Sequence, residues 1–416
     1  MSRPPVADQA ERDRLTSDLE RTFFVEAGAG TGKTAAVVAA IVARVAAGRL
    51  VMERLVAITF TIAAAGELRV RIREALEAGA AGATGEEERL RLAQATSEVD
   101  RARIETIHAF CSALLRMHPL EAGLPPDFEA LADLAGDLDV RERFRRWFDS
   151  LTPGEPGAEA VRRGLLLGLR PDRLLDLFLA LSENWDVVEP AIWPVHAVAT
   201  VNPARVLGED VQRCIDLLPL CHDPDKLHQQ IDALRLVAAR LREAASEDAA
   251  LIALLTLAEV PKLGHSGAMA NWGSVDGTNA CKGIRETMHA VAEEVARVLG
   301  AARTAAIGLV AAELRDLVLA YAEERRQRGL VTYQDLLVRA RNLLRDNEDV
   351  RAALRARWDL VAVDEFQDTD PLQAELAMLL CASVSGGEGE WRDLVPEPGR
   401  LCVVGDPKQS IYRFRR

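Results

Sequence analysis

Apolar and polar positions follow two different rhythms along this chain, and the change of rhythm divides it into three. Near the N-terminus, Phe23, Phe24 and Val25 form a short apolar run that suits a buried parallel strand. A glycine-rich turn follows, and the Ala/Val-rich segment from Thr34 to Ala47 predicts a helix. Leu55 to Phe60 is a second strand-like run. A helix is predicted from about Ala63 to Ala78, with Glu67, Arg69, Arg71, Arg73, Glu74 and Glu77 on its polar faces. Gly79 to Gly85 reads as a loop, Glu86 to Glu98 as a charged helix, and Ile104 to Thr106 as the end of a short strand. Ile107 to Met117 is helical and stops near Pro119; Pro125 and Pro126 mark a boundary.

From about Glu129 to Arg325 the spacing becomes helical. Asp137 to Leu151, Leu227 to Leu257 and Arg285 to Arg326 are Leu/Ala/Arg/Glu-rich, and strand signals are scarce. His265 to Gly283 is a Gly/Ser/Asn-rich interruption, expected to be an exposed loop around Trp272. Strand–helix alternation then returns. Tyr333 to Leu344 and Pro371 to Leu380 predict helices, the second with proline in its first turn. Leu360 to Val363 and Leu401 to Val404 predict strands, and Ser383 to Pro398 a loop. The expected fold class is α/β, one domain split in sequence by a helical insert, with no internal repeat.

Composition changes this picture little. The 416 residues allow two or three domains, and 49% hydrophobic residues allow a sizeable core. No uninterrupted apolar run reaches the ~18 residues of a membrane span, and Met1 to Asp13 lacks an apolar secretory core. The expectation is a soluble, cytoplasmic protein with no membrane partner. A net charge of -13 does not announce a nucleic-acid binder, although Lys408 to Arg416 is locally basic. No C-x-x-C pair occurs among the six cysteines. Cys214, Cys221, His222 and His228 fall within fifteen residues and are possible zinc ligands, but the spacing matches no common zinc module.

The candidate chemistry begins at Val25 to Thr34, Val-Glu-Ala-Gly-Ala-Gly-Thr-Gly-Lys-Thr. Strand, glycine loop and helix in that order are the context of a P-loop. Glycines at 28, 30 and 32 let backbone N–H groups turn around phosphate oxygens, and the helix N-terminus adds partial positive charge. The nucleotide cradle is therefore Ala27, Gly28, Ala29, Gly30, Thr31, Gly32, Lys33 and Thr34, with Ala27 where the usual pattern has glycine. Lys33 would reach the β/γ-phosphates and the Thr34 hydroxyl would bind Mg²⁺. A second acidic motif, Asp364 to Asp370, follows a predicted strand, where α/β sheets bind their ligands. Asp364 would hold Mg²⁺ and Glu365 would orient or activate the attacking water. An acidic surface turn is the plainer alternative.

Five stretches occur in order: the P-loop, Thr59 to Ile72, Thr106 to Phe110, Asp364 to Gln373 and Val404 to Arg415. Together they resemble the successive motifs of superfamily 1 helicases of the UvrD/Rep type. Asp-Glu-Phe-Gln-Asp-Thr-Asp-Pro-Leu-Gln and Gly-Asp-Pro-Lys-Gln-Ser-Ile-Tyr-Arg-Phe-Arg are most similar to the RecB/AddA branch. The resemblance implies a RecA-like P-loop NTPase domain built from residues 1–128 and 326–416, with a helical subdomain at 129–325. It implies ATP and Mg²⁺ as cofactors, and catalytic roles for Lys33, Asp364, Glu365 and Gln409, the last as a γ-phosphate sensor. Phe60, Tyr412 and Phe414 would lie near single-stranded bases, with Thr61, Thr106, His108 and Arg415 as backbone contacts. A core position is the alternative for Phe60 and Phe414, and a buried helix-start position for His108.

Some positions depart from the family pattern. Ala63 stands where lysine is frequent, Arg416 where glycine is frequent, and Gln9, the candidate adenine reader, is farther from the P-loop than expected. The implied activity is an ATP-dependent DNA helicase or translocase of 3′ to 5′ polarity in recombination and repair, acting on single-stranded or duplex-end DNA. The family needs a second RecA-like domain after the Gln409 motif, so these residues are expected to be the N-terminal portion of a longer motor. The alternatives are a motor subunit of a helicase–nuclease, with a nuclease domain or partner subunit, and a non-hydrolysing ATP-binding scaffold. The Gln409 to Arg415 motif disfavours a P-loop kinase.

Overall fold

A computed structural model describes residues 9–28, 31–131, 133–191, 198–260, 266–383 and 391–410. Residues 384–390 of the expected Ser383–Pro398 loop, and His265 of the expected loop before Gly283, lie outside the described residues. The chain separates into two compact units, one from Met1–Gly136 with Glu324–Arg416, the other from Asp137–Glu323.

The first unit is α/β. Its N-terminal part runs α1 (Gln9–Ser17), β1 (Phe23–Glu26), α2 (Lys33–Ala46), β2 (Leu55–Thr59), α3 (Ile62–Gly82), α4 (Glu86–Glu98), β3 (Arg103–Thr106), α5 (Ile107–Met117) and β4 (Glu129–Ala130). The long helix α6 (Ala280–Gln327) leads back, followed by β5 (Leu330–Val331), α7 (Tyr333–Asp346), α8 (Glu348–Arg357), β6 (Leu360–Val363), α9 (Pro371–Cys381) and β7 (Leu401–Gly405). Five strands form one parallel sheet in the order β1-β7-β6-β2-β3. β2, β6 and β7 are buried along their whole length, as apolar runs without alternation demand. The core beneath them gathers Ile41, Leu68, Ile72, Leu76 and Leu92 from α2, α3 and α4. A two-residue parallel pair, Glu129↔Leu330 and Ala130↔Val331, brings the outgoing chain beside the returning one.

Three expectations change. β1 is an edge strand with alternating exposure rather than a buried one, and Phe24 is 59% exposed. The expected loop at Gly79 to Gly85 is helical as far as Gly82. Alanines carry the helix through, and a Cβ at Gly79 would lie 3.4 Å from Leu92, so the glycine sits where α3 packs closely on α4. Trp272 is buried, and its indole N–H donates to Asp225 at 3.0 Å. The segment around it carries a short antiparallel pair, Ser274–Val275 with Thr278–Asn279.

The second unit is helical. Its core joins Leu207, Val211 and Ile215 of helix Val201–Asp216, Leu241 of helix Arg235–Arg242 and Leu254 of helix Glu247–Ala258 with Ile284, Val291 and Val298 of α6. A Cβ at Gly208 would meet Leu241 Cβ and Arg242 Cγ at 2.8 Å, so two helices cross in near backbone contact there. One 18-residue window of α6 has a mean hydropathy of 1.5, enough by composition to cross a membrane, with 39% of it buried. The buried positions of α6 recur at helical spacing, the signature of an amphipathic core helix.

The returning chain is fastened by a buried ion pair. Arg325 Nε and Nη2 donate to the two Asp335 carboxylate oxygens at 3.0 Å, and the pair is 3% and 0% exposed. Asp335 also accepts from Thr332 N, completing a capping box at the start of α7. Burial pushes the Asp335 carboxyl up, but the Arg325 guanidinium and the Thr332 N–H outweigh it and hold it below the usual range. A carboxyl depressed in the fold contributes stability above its unfolded value of about 3.9, and that contribution is lost as pH falls through the folded value. Asp335→Ala leaves a buried guanidinium without this carboxylate, and should cost about 3–5 kcal/mol in urea denaturation at neutral pH. The deficit should shrink as wild type is acidified. A neutral-pH loss near that of an exposed pair, below about 1 kcal/mol, would show that the pair is not what fastens α7.

Candidate active site

Three segments far apart in sequence meet at the C-terminal ends of β1, β7 and β6. β1 runs into the glycine loop, where Ala27 N donates to Gly405 O at 3.0 Å. Thr31 Oγ1 donates to Gly28 O at 2.7 Å and Gly32 takes φ 92°, a left-handed turn that glycine allows. The turn delivers Lys33 as the first residue of α2, 8% exposed. Ala29 and Gly30 lie outside the described residues.

The Lys33 ammonium donates to Glu365 Oε2 at 2.7 Å and to Gln409 Oε1 at 3.4 Å. Beside it, Thr34 Oγ1 donates to Asp364 Oδ2 at 3.2 Å. Asp364 emerges from β6, its backbone N donating to Ile58 O of β2 at 2.9 Å, and Glu365 N donates to Asp364 Oδ1 at 3.0 Å. Glu365 adopts φ 55°, one of two non-glycine left-handed residues among those described. This turn aims two consecutive carboxylates at different partners, Asp364 at Thr34 and Glu365 at Lys33.

Gln367 and Asp406 hold the arrangement together. The Gln367 amide donates to Glu365 and accepts from Asp406 N at 2.8 Å. Ser410 Oγ donates to Gln367 O at 3.0 Å, and the Gln409 amide donates to Asp406. Gly405 permits this: a Cβ there would lie 3.0 Å from Gln367 Oε1 and 3.2 Å from Gln367 N. On the other side of the loop, Arg12 of α1 donates to Thr31 O at 2.7 Å. Gln9 is on the same helix, with its amide donating to Asp13 at 2.8 Å.

Environment separates the two carboxyls. Burial pushes Asp364 up, and the neighbouring Glu365 charge adds to that. Glu365 is also pushed up by burial, but hydrogen bonds from Lys33 and Gln367 outweigh this and hold it below its ordinary value. Glu365 is thus an ionised carboxylate, and Asp364 is one whose charge a cation would relieve. Thr34 and Asp364 converge as oxygen donors, the donor type Mg²⁺ takes, with further positions filled by phosphate and water. The residues fit the ion. Among the described residues no group of three or more His, Cys, Asp or Glu side chains could hold a metal. Cys214 is buried in helix Val201–Asp216, hydrogen-bonded toward Thr287.

The other end of the same sheet edge carries a second group. Phe60 and Thr61 follow β2, and Phe60 is 43% exposed, which disfavours the core alternative. Thr61 Oγ1 caps α3 by accepting from Ala64 N at 3.1 Å. Thr106 ends β3 and caps α5, accepting from Ala109 N at 3.3 Å. His108 is half-buried, with its ring 5.1 Å from that of Tyr333. Tyr412, Phe414 and Arg415 lie outside the described residues.

Residues 7–416 match the family described as UvrD/REP helicase N-terminal domain. The chain belongs to this family. Its parallel sheet and P-loop are the RecA-like P-loop fold that membership in the UvrD/REP family implies. Relatives named as an ATP-dependent helicase/nuclease match nearly its whole span. That of Exiguobacterium sibiricum is 25% identical over 97% of this chain and 36% of its own length. Those of Geobacillus thermodenitrificans and Moorella thermoacetica are 28% and 29% identical, over 95% and 94% of this chain and 34% and 30% of their own lengths. The chain therefore spans about a third of the curated relatives it matches.

Sequence reasoning passed over Gln367, Asp406 and Arg12. Gln367 and Asp406 stood inside motifs already quoted, and an amide two residues past a strand-end carboxylate was the available signal. Arg12 had none beyond its place one helical turn after Gln9. Because the Lys33 ammonium sits at the centre of these contacts, Lys33→Ala should weaken Mg-ATP binding at least tenfold in titration calorimetry. Equal affinity in wild type and variant would remove Lys33 from the binding site.

Proposed function

We propose that this chain binds ATP with Mg²⁺ on the P-loop and hydrolyses it to drive a DNA translocase or helicase of 3′ to 5′ polarity. The observation that carries the reading is the convergence of Lys33, Glu365 and Gln409 on one point from three separated segments. A nucleotide's β/γ-phosphates would compete with Glu365 for the Lys33 ammonium. Released from Lys33, the Glu365 carboxylate orients and deprotonates the attacking water. Gln409, tied to Asp406 and through Gln367 to Glu365, reports the γ-phosphate to the segment that follows it. Mg²⁺ on Thr34 and Asp364 neutralises charge on the phosphates.

The functional division we propose is a RecA-like ATP-binding domain of residues 1–128 and 326–416, with a helical subdomain at 129–325. Phe60, Thr61, Thr106 and His108 would follow a single DNA strand along the β2–β3 end of the sheet, by stacking and phosphate contact. Tyr412, Phe414 and Arg415 extend that set by resemblance. The names of the relatives support a place in a cytoplasmic helicase–nuclease that processes DNA ends in recombination and repair, with a nuclease domain or partner subunit.

The test is ATP turnover of the protein with and without single-stranded DNA. Glu365→Gln should keep nucleotide affinity and lower DNA-stimulated turnover by ~10²-fold or more, the scale of a general base. Unchanged stimulated turnover in that variant would exclude Glu365 as the water-activating group. An absence of DNA-stimulated turnover in wild type would favour the scaffold alternative.

A further inference from the structure

We propose that Tyr333 is a base-stacking contact for single-stranded nucleic acid, positioned by His108. The inference rests on the translocase reading and extends its strand path by one residue. Tyr333 is the first residue of α7, on the returning arm of the α/β unit, and is 44% exposed. Its ring packs at 5.1 Å and 59° on His108, the second residue of α5. Thr106, the cap of α5, pairs in register with Thr59, so Phe60 and Thr61 leave the sheet one strand away, about 4.8 Å. Phe60, Thr106, His108 and Tyr333 thus follow one another along a single edge. Each end of the row is an aromatic ring with nearly half its surface open, and the middle carries hydroxyl and imidazole groups.

The local charges favour a polyanion here. Asp335, two residues on, is fully buried and paired with Arg325, so it sets no carboxylate beside the ring. Glu105, on β3, is paired with Arg103 at 3.2 Å. The half-buried His108 ring backs Tyr333, which lowers the entropic cost of holding it ready to stack. Aromatic faces accept any base, so the contact should be indifferent to sequence.

The experiment is fluorescence anisotropy of a labelled oligodeoxythymidine, titrated with the protein and its variants over a range of salt. Tyr333→Leu keeps an apolar side chain and removes the ring. It should weaken binding about 5- to 150-fold. The slope of log affinity against log salt should stay unchanged, because no phosphate charge contact is lost. Tyr333→Phe and Tyr333→Trp should bind as wild type. Equal binding by wild type and the leucine variant overturns the inference and leaves the translocase reading standing. Failure of wild type to bind the oligonucleotide overturns both. If the leucine variant melts early, the tryptophan variant decides, since a folded tryptophan variant with lost affinity excludes stacking.

Discussion

A buried ammonium must find acceptors, and in this chain that requirement fixes the order of the sheet. Lys33 is 8% exposed, and its strongest partner is a carboxylate 332 residues away in sequence. An isolated ion in that position would cost several kcal/mol of desolvation. The cost is offset only when β1, β7 and β6 lie side by side with their C-terminal ends level, because Lys33, Gln409 and Glu365 are each presented just beyond those ends. Any other register of these strands would strand the charge. The same contacts that stabilise the α/β unit therefore assemble its candidate chemistry.

Backbone details serve that assembly. The left-handed turn at Glu365 is a strained conformation for a residue with a side chain, tolerated here by hydrogen bonds from Lys33 and Gln367. Gly405 removes the Cβ that would press on Gln367, so one amide can join the acidic motif to the loop after β7. The helical segment interrupts this domain without disturbing it. The short β4–β5 pair holds the outgoing and returning strands together, and the Arg325–Asp335 pair sets the first turn of α7.

Much of this was legible in the sequence because the relevant signals are local. A strand, a glycine turn and a helix are read within ten residues, and β2, β6 and β7 announce themselves as unbroken apolar runs. The misreadings share a cause. Phe23 to Val25 looks like a central strand, yet its place at the sheet edge depends on strand order, which the run does not encode. Gly79 to Gly85 looks like a loop, yet tight packing on Leu92 makes a helical glycine worthwhile. Trp272 sits among glycines and asparagines, yet a single carboxylate, Asp225, draws its indole inward. Gln367 was overlooked because its role is to connect two motifs, and a connection is invisible when each motif is read alone.

The sheet order also separates two tasks while keeping them adjacent. The nucleotide-side residues stand on β1, β7 and β6, and the exposed aromatic and hydroxyl groups follow β2 and β3. The two sets meet at one strand pair, β6 with β2, where Asp364 N donates to Ile58 O at 2.9 Å. Ile58 lies two residues before Phe60, and Asp364 immediately precedes Glu365. A shift of the acidic turn is therefore transmitted across a single backbone hydrogen bond to the segment carrying Phe60 and Thr61. Both strands are buried on both faces, so the pair cannot absorb such a shift by local distortion. Close packing at this junction is what would let a change at the phosphates be felt along the edge where a strand of nucleic acid would lie.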